Sequence, residues 1–285
     1  MEYKGTYATR ASVGYKIWLD RFVQVCGSKT LEEYGMSDHV KYYHWTCARY
    51  NPSTVRYATT VFKNFLKYCK MQGLVCMSPE LIKLPPMHAK SHRAVTEAQY
   101  QKIISEIPSK GFLPLRDGVI IRMLWDTGVR VSELCDLELS QVDEQKRKAV
   151  IKTKKTGKLR IVVWSEETHA LLMRYMTERL QLEKVKPFSS ALFVGWEKND
   201  GWSARLNTRS VQRIVKRYVT RAGIKEKITP HSFRHGWAHK RRDQNAPLAF
   251  IQRGLGHSNP ISTFIYEQYN DVDFERNADA YLKAA

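Results

Sequence analysis

His257 stands nine residues before Tyr266 in LGHSNPISTFIY, and TPHSFRH carries His231, Arg234 and His235. Arg130 lies upstream in DTGVRVSELCDL and Lys155 in KAVIKTKKTGKLRIVVW. A phenol is a weak nucleophile at its usual pKa near about 10, and a phosphodiester repels attack with its own charge, so a tyrosine that opens one needs cationic, hydrogen-bonding neighbours. Arginine forks two hydrogen bonds onto phosphate oxygens, histidine donates or carries a proton, and lysine can protonate a leaving oxygen. Together these side chains are the set that phosphoryl transfer to a tyrosine would use.

Their spacing says which elements must present them. In ITPHSFRHGWAHK, Thr229 can cap a helix and Pro230 can take its first position, which places His231, Arg234 and His235 at i, i+3 and i+4 on one helix face. His231, His235 and His239 also have the spacing of metal ligands. No acidic general base accompanies them as in HExxH, and Arg234 on the same face repels a dication, so neither metal nor cofactor is expected. Asn259 and Pro260 repeat the capping pattern and start a second helix through Thr263, Ile265 and Tyr266, with His257 in the turn before it. Tyr269 is a neighbouring nucleophile candidate that spacing from His257 leaves open. Glu133 follows Arg130 by three residues, near enough to orient its guanidinium. Lys155 falls at the tip of a β-hairpin that turns at Thr156 and Gly157, with Lys154 and Lys158 as rivals. Taken singly, each of these residues reads as well as core packing, a surface ion pair or a solvated charge.

The partner is legible in the charge. The 285 residues carry a formal net charge of +19, which points to a polyanion because Lys and Arg release counterions from a phosphate backbone. Residues 1–90 hold 13 Lys+Arg against 6 Asp+Glu, a balance of +7 that leaves +12 for the remainder, so both parts are basic enough to touch nucleic acid. No long apolar run or lipidation signal accompanies the charge, which argues against a membrane partner. The five cysteines form no CxxC pair, and MEYKGTYATR lacks the apolar core of a secretion signal. Reduced thiols in a cytoplasmic, nucleoid-associated protein are expected.

Apolar residues recur at helical steps from Ala11 to Val25 and again from Ser37 to Arg49, and a third pattern begins at Ser53 after Asn51 and Pro52. The stretch LPPMHAKSHRAVT is proline-rich, basic and without period, which reads as an extended linker. Two domains follow, residues 1–90 and residues 91–285. In the second, helices are expected after Thr96, from Leu115 to Trp125 up to a stop at Thr127 and Gly128, from Glu166 to Glu183 and from Thr208 to Ala222. The whole is mainly α with a small antiparallel β-sheet, an α+β class. The tail DVDFERNADAYLKAA reads as a short helix with Phe274, Ala278 and Tyr281 on one side.

The ordered set of Arg130 in TGVRVSEL, Lys155 in the hairpin, HSFRH, LGH and Tyr266 resembles the tyrosine recombinase family, also called the phage integrase family, in its Xer-like form. The resemblance covers the chain from about Arg93, and the helical residues 1–90 look like that family's SAM-like core-binding domain. It implies that Arg130 and Arg234 clamp a scissile phosphate, that Tyr266 attacks it, and that Lys155 protonates the departing 5′ oxygen. His231 and His257 would hydrogen-bond the phosphate or move protons, with Glu133 and His235 as supports. It further implies site-specific recombination of double-stranded DNA through a 3′-phosphotyrosine, without metal or ATP, by a homotetramer whose C-terminal tails are exchanged between protomers. Where relatives commonly turn through GKG, this hairpin reads KKTGK, and Phe233 stands where many have leucine. A type IB topoisomerase shares the chemistry but religates the same strand, and a DNA-binding regulator would have left it unused.

Overall fold

Apolar residues at three- and four-residue steps build the first three helices, α1 (Thr9–Cys26), α2 (Met36–Cys47) and α3 (Pro52–Met71). The computed structural model describes residues 9–86, 93–153, 157, 159–183, 189–197 and 201–256; of residues 9–12, 183, 196–197 and 201–204 it describes the backbone alone. The chain divides into two units, Met1–Ser91 and His92–Ala285. In the first, Asn51 accepts from the Thr54 N–H at 3.1 Å and Pro52 opens α3. Trp18, Phe22, Tyr42, Phe62 and Leu66 form its core, with the Phe22 and Phe62 rings stacked at 4.1 Å. The Tyr42 hydroxyl donates to the Trp18 carbonyl at 3.0 Å, which satisfies this buried phenol.

The second unit is built around α5 (Phe112–Thr127), whose residues from Leu115 onward are buried almost all round. Before it comes α4 (Glu97–Ser105), where Thr96 Oγ1 accepts from the Gln99 N–H and the Gln99 side chain returns to the Thr96 N–H. Gly128 ends α5 in the left-handed region at φ 58°, and the short α6 (Val131–Asp136) follows with Arg130 at its N-cap. β1 (Val142–Asp143), β2 (Lys148–Lys152) and β3 (Leu159–Val163) form a three-stranded antiparallel sheet in that order, Val150 pairing with Ile161 and Ile151 with Arg160. α7 (Glu166–Glu183) packs on α5. The hairpin of β4 (Val194–Glu197) and β5 (Gly201–Arg205) then forms a second, two-stranded sheet.

α8 (Thr208–Arg221), capped by Asn207, α9 (Pro230–Asp243) and α10 (Leu248–Leu255) complete the described fold. α9 lies along α5, and α10 packs on α9 and touches β3. Val119, Ile120, Leu124, Tyr175, Phe193, Val215 and Phe233 are buried in the shared core. Each fully buried side chain of this size contributes about 1.5–3 kcal/mol, so the scaffold that carries α6, α9 and α10 is rigid by packing alone. Among the described residues no helix is long and apolar enough to cross a membrane.

Candidate active site

Three elements meet around Arg130 and Arg234: the turn between α5 and α6, the start of α9, and the end of α10. Arg130 enters from the first, where Gly128 turns the chain and a Cβ on that glycine would stand 3.0 Å from the Trp237 ring of α9. The Trp237 indole N–H donates to the Asp126 carbonyl at 2.8 Å, which pins this turn to α9. Glu133 then holds Arg130 twice: Oε1 accepts from Arg130 Nη1 and Oε2 from the Arg130 backbone N–H, both at 2.9 Å. The Arg130 side chain keeps 36% exposure while Glu133 keeps 2%, so the carboxylate stands beneath the guanidinium and leaves its outer edge open.

Arg234 comes from the first turns of α9, where Ser232 Oγ accepts from the Thr229 N–H at 3.2 Å. It is 2% exposed and donates through Nη1 to the Gly128 carbonyl at 2.7 Å and through Nη2 to the Leu255 carbonyl at 2.5 Å. His231 is exposed and His235 is buried, and their rings meet edge to face with centroids 4.5 Å apart. Burial lowers the His239 pKa, with the neighbouring Arg242 charge acting the same way. Among the described residues no three His, Cys, Asp or Glu side chains are grouped so as to hold a metal ion.

The end of α10 is where these contacts converge. The carbonyls of Gly254, Leu255 and Gly256 each accept from a different arginine: Arg160 Nη1 at 2.8 Å, Arg234 Nη2 at 2.5 Å and Arg130 Nη2 at 3.4 Å. These carbonyls are the negative end of the helix, and three guanidiniums satisfy them at once. Gly256 is left-handed at φ 62°, and a Cβ there would lie 2.6 Å from Arg160 Nε. The turn that delivers the chain to position 257 is thereby fixed. His257, Tyr266, Tyr269, Lys154, Lys155 and Lys158, and the tail with Phe274, Ala278 and Tyr281, lie outside the described residues.

Arg160 is the residue that sequence reasoning missed. It is 8% exposed on β3 and its Nη2 donates to Glu133 Oε2 at 2.5 Å. Burial pushes the Glu133 carboxyl up, but the Arg160 charge, the Arg130 N–H and the Arg130 charge together hold it below the ordinary carboxylate value. A signal was present in LRIVV: Arg160 and Val162 point inward while Leu159, Ile161 and Val163 point out, the reverse of an apolar-inward strand.

Comparison with known proteins gives a consistent result. The profile described as the phage integrase family matches residues 93–274. The chain is 30% identical to the tyrosine recombinase XerA of Pyrococcus horikoshii over 213 residues, 75% of this chain and 69% of that protein. It is 30% identical to the tyrosine recombinase XerA of Thermococcus kodakarensis over 237 residues, 82% of this chain and 78% of that protein. Among solved structures, the Tn1549 transposon integrase in complex with a circular intermediate DNA superposes with a TM-score of 0.80 at 19% identity, covering 99% of this chain and 96% of that one.

Proposed function

This chain belongs to the phage integrase family, and we propose that it cleaves and rejoins duplex DNA at specific sites with Tyr266 as nucleophile. The observation that supports this reading best is the shared anchoring of Arg130 and Arg234 on the adjacent carbonyls of Gly256 and Leu255, at the turn that leads into His257. Two guanidiniums held side by side suit the nonbridging oxygens of one phosphate, where their charge offsets what the transition state gathers.

In the proposed reaction Tyr266 gives its phenolic proton to His231 or His257 as its oxygen bonds to phosphorus, the bond from phosphorus to the 5′ oxygen breaks, and Lys155 gives that oxygen its proton. The 3′-phosphotyrosine conserves the bond, so attack by the 5′ hydroxyl of another strand reverses the step and needs no ATP. His231 and His257 hydrogen-bond the phosphate or move protons, while Glu133 and His235 support the two arginines. Both basic units contact the duplex. The working assembly is a homotetramer on two sites, joined by exchange of the C-terminal tail, and acts in the cytoplasm on the nucleoid.

A library of nicked duplexes with random flanks tests this, because a nick beside the cleaved phosphate lets the released fragment diffuse away and traps the adduct. The wild type is expected to form a denaturant-resistant complex with a discrete family of sequences, and Tyr266→Phe none. Trapping by the Phe variant would move the nucleophile to Tyr269 or elsewhere, and no trapping by the wild type would overturn the reading. Recombinant product from two such sites, in place of plasmid relaxation alone, separates recombination from swivelling.

A further inference from the structure

We propose that Arg160 is a positioning residue for strand cleavage, fixing both the carboxylate beneath Arg130 and the backbone turn that leads into His257. The inference rests on the recombinase reading above. Arg160 joins two parts of the site that are far apart in sequence: Nη2 donates to Glu133 Oε2 at 2.5 Å, and Nη1 donates to the Gly254 carbonyl at 2.8 Å. Glu133 passes the constraint to Arg130 through Oε1, and Arg130 reaches back to the Gly256 carbonyl at 3.4 Å. The contacts close a ring from Arg130 through Glu133, Arg160 and the end of α10 back to Arg130.

Several features indicate that this charge is placed for the site and not for the fold. The Arg160 side chain is 5% exposed at an inward position of β3, where its strand neighbour Val162 fills the equivalent place with apolar atoms. A buried guanidinium carries a desolvation penalty that a packed aliphatic side chain avoids. The backbone also accommodates it: Gly256 leaves out the Cβ that would stand 2.6 Å from Arg160 Nε and 2.9 Å from its Cδ. Thr153 Oγ1 lies 3.4 Å from the same point, so the strand that leads to Lys155 also rests against this turn. Lysine cannot reproduce the arrangement, because a single ammonium does not fork toward a carboxylate and a carbonyl in fixed directions.

Arg160→Lys keeps the charge and removes the fork, and Arg160→Met removes both. With a nicked duplex of the sequence that the wild type selects from the random library, Arg160→Lys should bind with wild-type Kd. It should form the covalent adduct roughly 10- to 100-fold more slowly, the scale of a misplacement of about 1 Å in a reacting pair. Arg160→Met should be slower still. The coupling is read from Glu133→Gln alone and combined with Arg160→Lys: the double variant should be no slower than the slower single one, because each breaks the same ring. Wild-type cleavage by Arg160→Lys would overturn the proposal, as would additive losses or a fall in binding equal to the fall in cleavage. Should Arg160→Met not fold, the Arg160→Lys rate and its coupling to Glu133→Gln decide. Absence of adduct from the wild type would instead overturn the recombinase reading itself.

Discussion

Arg234 donates to the Leu255 carbonyl at 2.5 Å, tying the helix that begins at Pro230 to the last residue of the helix that precedes His257. Its other terminal nitrogen holds the Gly128 carbonyl at 2.7 Å, two residues before Arg130. One buried guanidinium thus sets the distance between the two segments from which the proposed phosphate clamp and its histidine emerge. Fixing these segments through one buried guanidinium supplies the preorganisation that electrostatic catalysis of phosphoryl transfer requires.

Arg234→Lys should therefore lose far more cleavage than binding. Loss of one preorganised donor costs about 100- to 1,000-fold in rate. DNA affinity rests on many basic groups and should change little. Single-turnover adduct formation and equilibrium binding on the same duplex measure the two quantities. The variant should also unfold more easily by about 1–3 kcal/mol, because a carbonyl that Arg234 satisfied is left buried without a donor.

Gly128→Ala tests the turn that presents Arg130. The position has φ 58°, which costs an L side chain about 1–2 kcal/mol. The new methyl would also stand 3.0 Å from Trp237 Cγ. The indole cannot retreat freely while its N–H is bound to the Asp126 carbonyl at 2.8 Å. Thermal unfolding should show a lowered midpoint, and adduct formation measured well below it should still be slowed at least 10-fold. Unchanged cleavage in a destabilised variant would separate the turn from the chemistry.

What the sequence disclosed and what it hid divide along range. The cap at Thr96 and the stop at Gly128 act within a turn of their own position, so local residue types announce them. The hairpin of β2 and β3 is likewise a local alternation. Arg160 was hidden because its partners Glu133 and Gly254 lie 27 and 94 residues away, and inside a strand only its inverted alternation marks it. α10 spans eight residues, too few for a periodic signal, although its end gathers three arginines. The β4 and β5 hairpin was missed although the sequence offers an Asn-Asp-Gly turn signal at residues 199–201. In the candidate site, the types and order of Arg130, Glu133, His231 and Arg234 were legible, whereas the adjacent carbonyls on which Arg130 and Arg234 rest were not, since no side-chain pattern encodes where a helix end comes to rest.

Glu133 gives the site a defined acid limit. Burial favours its protonated form, but Arg160 and Arg130 outweigh burial and the folded carboxyl lies below its ordinary value. With a depressed folded pKa, the unfolded chain binds more protons through the acid range, so the stabilisation is complete above the unfolded carboxylate value and is lost as pH falls through the folded one. Urea unfolding at neutral pH should find Glu133→Gln less stable by about 3 kcal/mol, since it leaves two guanidiniums unpaired. As pH is lowered the wild type should lose stability faster and the two curves should approach each other. Parallel curves down to the acid limit would show that Glu133 is not the group that titrates.

DNA affinity should trace to exposed cations such as those of α8. Its buried face is Val211, Ile214, Val215, Tyr218 and Val219, and its exposed face carries Arg209, Arg213, Lys216, Arg217 and Arg221 with no acidic residue in the helix. Such a face is repelled by itself and is stabilised by a polyanion. Each phosphate contact contributes roughly 0.9 to the slope of log affinity against log salt. Replacing Arg209, Arg213 and Lys216 together by Gln should lower that slope in proportion to the phosphates they neutralise, by up to roughly 2.7 if each meets one. The triple variant should fold normally, because all three side chains are exposed. Its covalent adduct formation at saturating DNA should stay near wild type, since Arg130, Glu133, Arg160 and Arg234 are untouched. An unchanged salt slope would place the duplex on another face of the protein.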